Sequence, residues 1–421
     1  MSLVANLFKH ILRNHPSTSI QGNSKLNQNS KCICRSISNE SNAKDENPPE
    51  KGEVSTAKEL LENSTTYVGE TVETEEDVWA SKPYPKHYDP RQSQAQHSLR
   101  PKTDPRDTSI IMFPGQGTQF VGMGGDLIKT LPMAKDLFEE ASAILKFDLL
   151  KLCLEGPASE LNKTIHAQAA VFVCSIGALE KLREERPAAI ENCVATLGFS
   201  LGEITALTFS GVFDYETALE LIKIRSQAMQ LACEIAPGGM ASVMYGPDSQ
   251  LNLAMKRAKE WCVDRGIPEP ECRVANYLFP HCKVIAGHKE ALNYIEQNLS
   301  TFKLRRFRWL PVNGAFHSNL MVPAVEPFAL ALKKATINNM IIPVHSNVDG
   351  KIYRDANHIR RQLPKQIYKP VCWEQTLHIL YERPQGNHFP RTFECGPGKS
   401  LVTILNQVNK KAGDSAAKVP C

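Results

Sequence analysis

Five residues, Gly198-Phe199-Ser200-Leu201-Gly202, constrain this chain more than any other stretch. A strand-like apolar run (Cys193, Val194, Ala195, Thr196, Leu197) leads into them, and a helix-like run (Glu203 to Phe209) leads out. Gly-x-Ser-x-Gly between a strand and a helix is the pattern of a nucleophile elbow. Its glycines permit a turn too sharp for side chains, so the serine hydroxyl stands clear of the backbone. The N-terminus of the following helix directs N–H groups at negative charge developing there. Alone, the pentapeptide fits a glycine-rich turn with a surface serine equally well; the strand–turn–helix setting favours the elbow.

A second buried-strand pattern, Thr108 to Phe113, runs directly into Pro114-Gly115-Gln116-Gly117-Thr118-Gln119. A glycine-rich loop at a strand end brings backbone N–H groups close to a ligand. It matches neither the Gly-x-x-x-x-Gly-Lys-Ser/Thr phosphate loop nor a clean dinucleotide fingerprint. Two such loops at neighbouring strand ends would give a two-donor oxyanion hole from the N–H groups of Gln116 and Leu201.

Ser200 needs a base to become a nucleophile. Of the 12 histidines most lie in polar, loop-like surroundings. His317 instead ends an apolar, strand-like run, Val312-Asn-Gly-Ala-Phe-His-Ser318, beside a glycine-containing turn. An α/β fold presents catalytic side chains at such a place, and a structural histidine fits it too. Residues 214 to 235 read as an amphipathic helix with Asp214 as N-cap. Its apolar stripe runs through Ala218, Leu221, Ile222, Met229 and Ala232, and Arg225 falls on that stripe. A guanidinium facing a core is costly unless paired. Its partner is either a structural carboxylate or the carboxylate of a ligand, held by two parallel hydrogen bonds.

Taken together, these segments resemble the malonyl-CoA:acyl carrier protein transacylases. The matching pieces are Phe113-Pro-Gly-Gln-Gly-Thr-Gln119, Gly198-Phe-Ser-Leu-Gly-Glu203, Arg225 with Met229-Gln230, Gly239-Met-Ala-Ser-Val243 and Ala315-Phe-His-Ser318. Ser346-Asn-Val-Asp349, Gln366-Ile-Tyr-Lys-Pro-Val371 and Glu394-Cys-Gly-Pro-Gly-Lys399 follow, in the family's order over residues 108–408. The resemblance implies that Ser200 carries malonate as an ester. It makes His317 the base that then protonates the departing thiolate, and Arg225 the clamp for malonate's free carboxylate. Leu201 and Gln116 would supply the oxyanion hole. Gln366 would orient His317 by accepting from its ring N–H through the side-chain carbonyl, and Asn347 would help hold a strand end beside the substrate. An amide rather than a carboxylate behind the histidine would make a weaker base and help the ester survive water. Phe199 stands where many members have histidine, a change that touches the acyl pocket rather than the chemistry.

Acyl transfer between thiols passes through two tetrahedral oxyanions and needs a nucleophile, a proton shuttle and an oxyanion hole. The expected set therefore includes no metal and no redox cofactor. The substrates are malonyl-CoA and phosphopantetheinylated acyl carrier protein. A serine hydrolase or thioesterase shares the elbow, but such enzymes usually run Ser…Asp/Glu…His, whereas here His317 precedes Gln366. A non-catalytic partner in a mitochondrial assembly is a third reading, disfavoured by the intact Ser200, His317 and Arg225.

The rest of the chain bounds the answer. A 42% hydrophobic, 22% charged composition provides for a sizeable core. A net charge of +4 gives no argument for nucleic acid, and no run reads as a membrane span. The 12 cysteines contain no Cys-x-x-Cys pair, which excludes a disulfide scaffold and fits a reducing compartment. Residues 1–39 lack Asp and Glu, carry Lys9, Arg13, Lys25, Lys31 and Arg35, and can line a helix face with Leu3, Leu7, Phe8 and Ile11. That is the pattern of a mitochondrial transit peptide, pointing to the matrix. Residues 40–107, rich in charge and proline, read as a poorly ordered linker, with a short helix over Lys58 to Asn63.

Beyond it, strand, loop and helix alternate, predicting an α/β hydrolase-like core with a parallel sheet and flanking helices over 108–236 and 313–408. Residues 237–312 read as β-α-β-β-α-β, a ferredoxin-like small domain inserted between Arg225 and His317. The site should lie between the two, and 409–421 reads as a disordered tail. Lys303, Arg305, Arg306 and Arg308, with Arg360, Arg361, Lys365 and Lys369, suit either a solvated face or a dock for the acidic carrier protein. A monomer is expected.

Overall fold

The computed structural model describes residues 104–381 and 388–421. The expected transit peptide, the Lys58 to Asn63 helix and all of the expected linker except 104–107 lie outside the described residues. Within 104–107, Asp104 caps a short 3₁₀ turn, Pro105–Asp107.

Among the described residues ten strands form two sheets: β1 (Ser109–Phe113), β2 (Cys193–Gly198), β3 (Gly238–Met244), β4 (Cys272–Phe279), β5 (Cys282–His288), β6 (Arg306–Trp309), β7 (Val344–His345), β8 (Val371–Cys372), β9 (Arg391–Cys395) and β10 (Ala416–Val419). The first sheet runs β10-β9-β1-β2-β7, and every pairing in it is parallel. β1 is buried along its whole length, as a central parallel strand covered on both faces must be. Its register sets Phe113 opposite Gly198, so the two glycine-rich loops leave adjacent strand ends on the same side. Ligands bind at that carboxyl end in open α/β sheets.

Helix Thr164–Glu185 is long and apolar enough to cross a membrane by length and composition, contrary to the expectation that no segment would be. Its apolar window is 83% buried within the fold, so its hydrophobicity serves the core. Helix Tyr215–Ile235 starts as expected, with the Asp214 carboxylate accepting from the Thr217 N–H at 2.7 Å. Ala218, Leu221, Ile222, Met229 and Ala232 are all buried, and Arg225 is buried with them.

The second sheet runs β6-β3-β5-β4-β8. Its first four strands are antiparallel, and the helices Leu251–Val263 and Lys289–Gln297 pack on it around Ala254, Ala258, Leu292 and Ile295. β8 departs from the expected boundaries. Val371 and Cys372 lie in the segment assigned to the large unit, yet they pair in parallel with Asn276 and Tyr277 of β4.

The expected tail is also corrected. Asn409 caps a helix, Lys410–Asp414, by accepting from the Ala412 N–H, and β10 pairs with β9 from Ala416↔Thr392 to Val419↔Cys395. An edge strand carrying two alanines and one lysine has too little apolar alternation to announce itself in sequence.

Candidate active site

The elbow forms as its glycines require. Ser200 sits at φ 53°, ψ −107°, a backbone state that costs on the order of 1–3 kcal/mol for a residue with a side chain. The surroundings hold it there. The Phe199 N–H donates to the Phe113 carbonyl at 2.9 Å. A Cβ on Gly198 would meet the Gly202 carbonyl oxygen at 1.8 Å. Asn347 closes the clamp: its Oδ1 accepts from the Ser200 N–H at 2.6 Å and its Nδ2 donates to the Gly198 carbonyl at 2.7 Å. Asn347 therefore spends its amide on the elbow backbone at the end of β2, next to the nucleophile.

His317 reaches Ser200, with Nε2 2.9 Å from Oγ. It is carried by a turn at φ 59°, not by the strand end that the apolar run suggested; Asn313, Gly314 and the positive φ prevent extension. Its Nδ1 lies 2.6 Å from the main-chain carbonyl of Gln366. A carbonyl only accepts, so Nδ1 carries the proton and Nε2 is left as the acceptor for the serine hydroxyl. This corrects the expected role of the Gln366 side chain: the residue orients the histidine through its backbone. The ring is backed by a main-chain carbonyl, so no side-chain amide weakens the base.

Burial, and then the Arg225 charge, pushes the His317 pKa down to about 4, against the pull of the Gln366 and Lys369 carbonyls. The ring is thus neutral and available as a base at neutral pH. Followed by NMR, it should stay neutral as pH falls to 5 and take up its proton near 4; a midpoint at the ordinary value of about 6.5 would overturn this electrostatic account.

Arg225 is 1% exposed. Its Nη1 donates to Gln168 Oε1 at 2.7 Å, and its Nη2 donates to Gln366 Oε1 at 2.7 Å and to Ser200 Oγ at 3.2 Å. All three acceptors are neutral. Burial lowers its pKa to about 10, with the Glu203 carboxylate opposing, so it remains a cation at neutral pH. Between the two earlier explanations, these neutral partners favour a carboxylate supplied by a ligand.

The Gln116 loop packs on the elbow, since a Cβ on Gly115 would stand 2.4 Å from the Phe199 carbonyl oxygen. The Gln116 side chain is half-buried and meets Gln168 and Thr164, each at 3.3 Å. Leu201 is the first residue of helix Leu201–Phe209, where an N–H has no intrahelical acceptor. Phe199 turns its ring edge-on to Trp373, with centroids 5.3 Å apart.

Two buried polar residues escaped the sequence analysis as functional groups. Gln168 interrupts an apolar helix, and Glu203 interrupts another three residues after the nucleophile; that interruption was the available signal. Glu203 is fully buried, and desolvation raises its pKa to about 7 against three hydrogen bonds. Lys303, Arg305, Arg306 and Arg308 are exposed, the last two in β6, an edge strand, and the first two in the segment leading into it. Lys365 is half-buried in a separate 3₁₀ turn with Gln366, and Lys369 is buried, so these two do not extend the exposed row.

Residues 110–377 match the acyl transferase domain family. A probable mitochondrial malonyl-CoA-acyl carrier protein transacylase of Drosophila melanogaster is 58% identical, with 76% of this chain and 84% of that protein covered. The mitochondrial malonyl-CoA-acyl carrier protein transacylase of Homo sapiens is 48% identical, covering 75% of this chain and 80% of that protein. Among solved structures, a malonyl-transacylase in complex with its holo type II PKS acyl-carrier protein superposes with a TM-score of 0.64 at 32% identity, covering 74% of this chain and 94% of that one. By this match and these identities the chain belongs to the malonyl-CoA-acyl carrier protein transacylases of the acyl transferase family.

Proposed function

We propose that the chain transfers malonyl from malonyl-CoA to the phosphopantetheine thiol of acyl carrier protein, in mitochondrial fatty acid synthesis. The observation that carries this reading is Arg225, buried among neutral acceptors 3.2 Å from Ser200 Oγ. Ser200 Oγ attacks the thioester carbonyl while His317 Nε2 takes the hydroxyl proton. The oxyanion is held by the N–H groups of Leu201 and Gln116. Collapse expels CoA as its thiolate, which takes the proton from His317, and leaves malonyl-Ser200. The carrier thiol then gives its proton to His317 and attacks the ester; Ser200 leaves with that proton, and malonyl carrier protein departs. Arg225 grips the distal carboxylate throughout. The steps need no metal or redox cofactor.

The acidic-poor leader and the mitochondrial names of the relatives support the matrix as the site of action. The mitochondrial acyl carrier protein is then the partner, served by a monomer. The β6-β3-β5-β4 order supports a ferredoxin-like insert.

The test is the full chain given malonyl-CoA with and without holo carrier protein. Malonyl carrier protein should form, with little CoA release in its absence. Rapid CoA release without the acceptor would make the chain a hydrolase; neither product from folded chain would favour a structural partner. The exposed Arg305, Arg306 and Arg308 are the proposed dock for the acidic carrier. Reversing Arg305 and Arg306 to Glu should raise the apparent KM for carrier protein about tenfold at low salt, and less at high salt. An unchanged KM at low salt would remove β6 from the docking surface.

A further inference from the structure

Glu203 lies three residues after the nucleophile; its N–H donates to the Ser200 carbonyl at 3.0 Å, while among the described residues its side chain has no hydrogen bond to Ser200 Oγ, the His317 ring or Arg225. Its carboxylate accepts three hydrogen bonds from three segments. The Tyr353 hydroxyl and the Asn347 N–H both reach Oε1, at 2.7 and 3.0 Å, and Gln366 Nε2 reaches Oε2 at 2.9 Å. Two of these donors belong to residues that themselves hold the site. Asn347 clamps the elbow, and Gln366 contacts Arg225 through its side chain and His317 through its backbone.

The Gln366 amide has two ends that are easily interchanged, and here their orientation is determined. Nε2 is bound by two acceptors, the Glu203 carboxylate and the Ser200 carbonyl. Oε1 must therefore face the guanidinium. Turned over, the amide would set its NH₂ against Arg225, donor against donor. When ionised, Glu203 also favours the charged guanidinium without occupying its N–H groups, since no direct bond joins them among the described residues. A carboxylate bonded directly to Arg225 would compete with a ligand; one acting through an amide does not.

We propose that Glu203 is a positioning residue for acyl-group selectivity, fixing the Gln366 amide so that its oxygen faces Arg225 and the guanidinium stays open to the carboxylate of the acyl group. The inference rests on the malonyl-transfer reading. Its test compares the rates of Ser200 acylation by malonyl-CoA and acetyl-CoA in Glu203→Gln, in Gln366→Met, which removes the link while leaving Glu203, and in Tyr353→Phe, which removes a donor from the oxygen remote from Gln366. The malonyl-to-acetyl ratio should fall about tenfold in the first two, mainly through KM for malonyl-CoA, and stay near the parent value in the third.

A purely structural Glu203 would lower both acylations together and leave the ratio intact. An unchanged ratio in folded Gln366→Met overturns the proposal even if Glu203→Gln fails to fold. If the parent chain shows no malonyl preference, the functional reading fails and this inference with it; a parent preference that survives in the variants removes this inference alone.

Discussion

Ser200→Ala should form no malonyl adduct by intact mass spectrometry and lose transfer by about 10⁴-fold or more, the scale seen when a nucleophile is removed from a unit that works as one. The substitution isolates chemistry from folding. The described contacts of the hydroxyl are His317 Nε2 at 2.9 Å and Arg225 Nη2 at 3.2 Å. The backbone that holds the elbow is bonded through the Ser200 N–H to Asn347 and is untouched. Thermal stability should therefore change little, and relief of the strained φ is not available to alanine either. An adduct persisting on the folded variant would mean that another residue is the nucleophile.

Arg225→Ala should separate the acyl donors. A carboxylate held by two charge-assisted hydrogen bonds loses roughly 3–6 kcal/mol with its partner, so malonyl acylation should fall about a thousandfold. Acetyl acylation has no carboxylate to lose. It should hold or rise, because the cation that helps to depress His317 is gone and the base strengthens. The variant strands the amide oxygens of Gln168 and Gln366, at about 1–3 kcal/mol each, and its melting temperature should drop. Comparing both donors at a temperature where the variant is folded checks the assignment. Equal losses for malonyl and acetyl would mean that Arg225 supports the fold and not the substrate. Arg225→Lys keeps the charge without the fork and should recover only part of the malonyl rate.

The elbow was legible because it has no alternative sequence: a Cβ at Gly198 collides with backbone, and so does one at Gly202, 2.2 Å from the Phe113 carbonyl oxygen. Arg225 was legible because a charge on an apolar stripe contradicts its helix. What the residues did not reveal was which end of Gln366 does which job. Side chain and carbonyl belong to the same letter, and only the turn at Leu363–Ile367 decides that the carbonyl meets His317 while the amide meets Arg225. Glu203 was passed over because carboxylates usually mark the solvent side of a helix; here Tyr353 and Asn347, about 150 residues later in the chain, make burial tolerable. β8 was hidden for a related reason: Val371–Cys372 is two residues long, and its allegiance to the second sheet depends on a partner strand far upstream.

That small strand has a larger consequence. It follows Gln366 by five residues and ties to β4, while the Cys372 N–H donates to the Asn347 carbonyl at 2.7 Å. The residues that steer His317 and clamp the elbow are thereby stitched into the sheet made by the insert. Cutting residues 237–312 out of the gene would not yield a smaller enzyme with an intact centre; it would leave β8, five residues after Gln366, without its rail. What reads along the chain as a removable appendage is, in three dimensions, part of the chassis on which the reacting atoms are aligned.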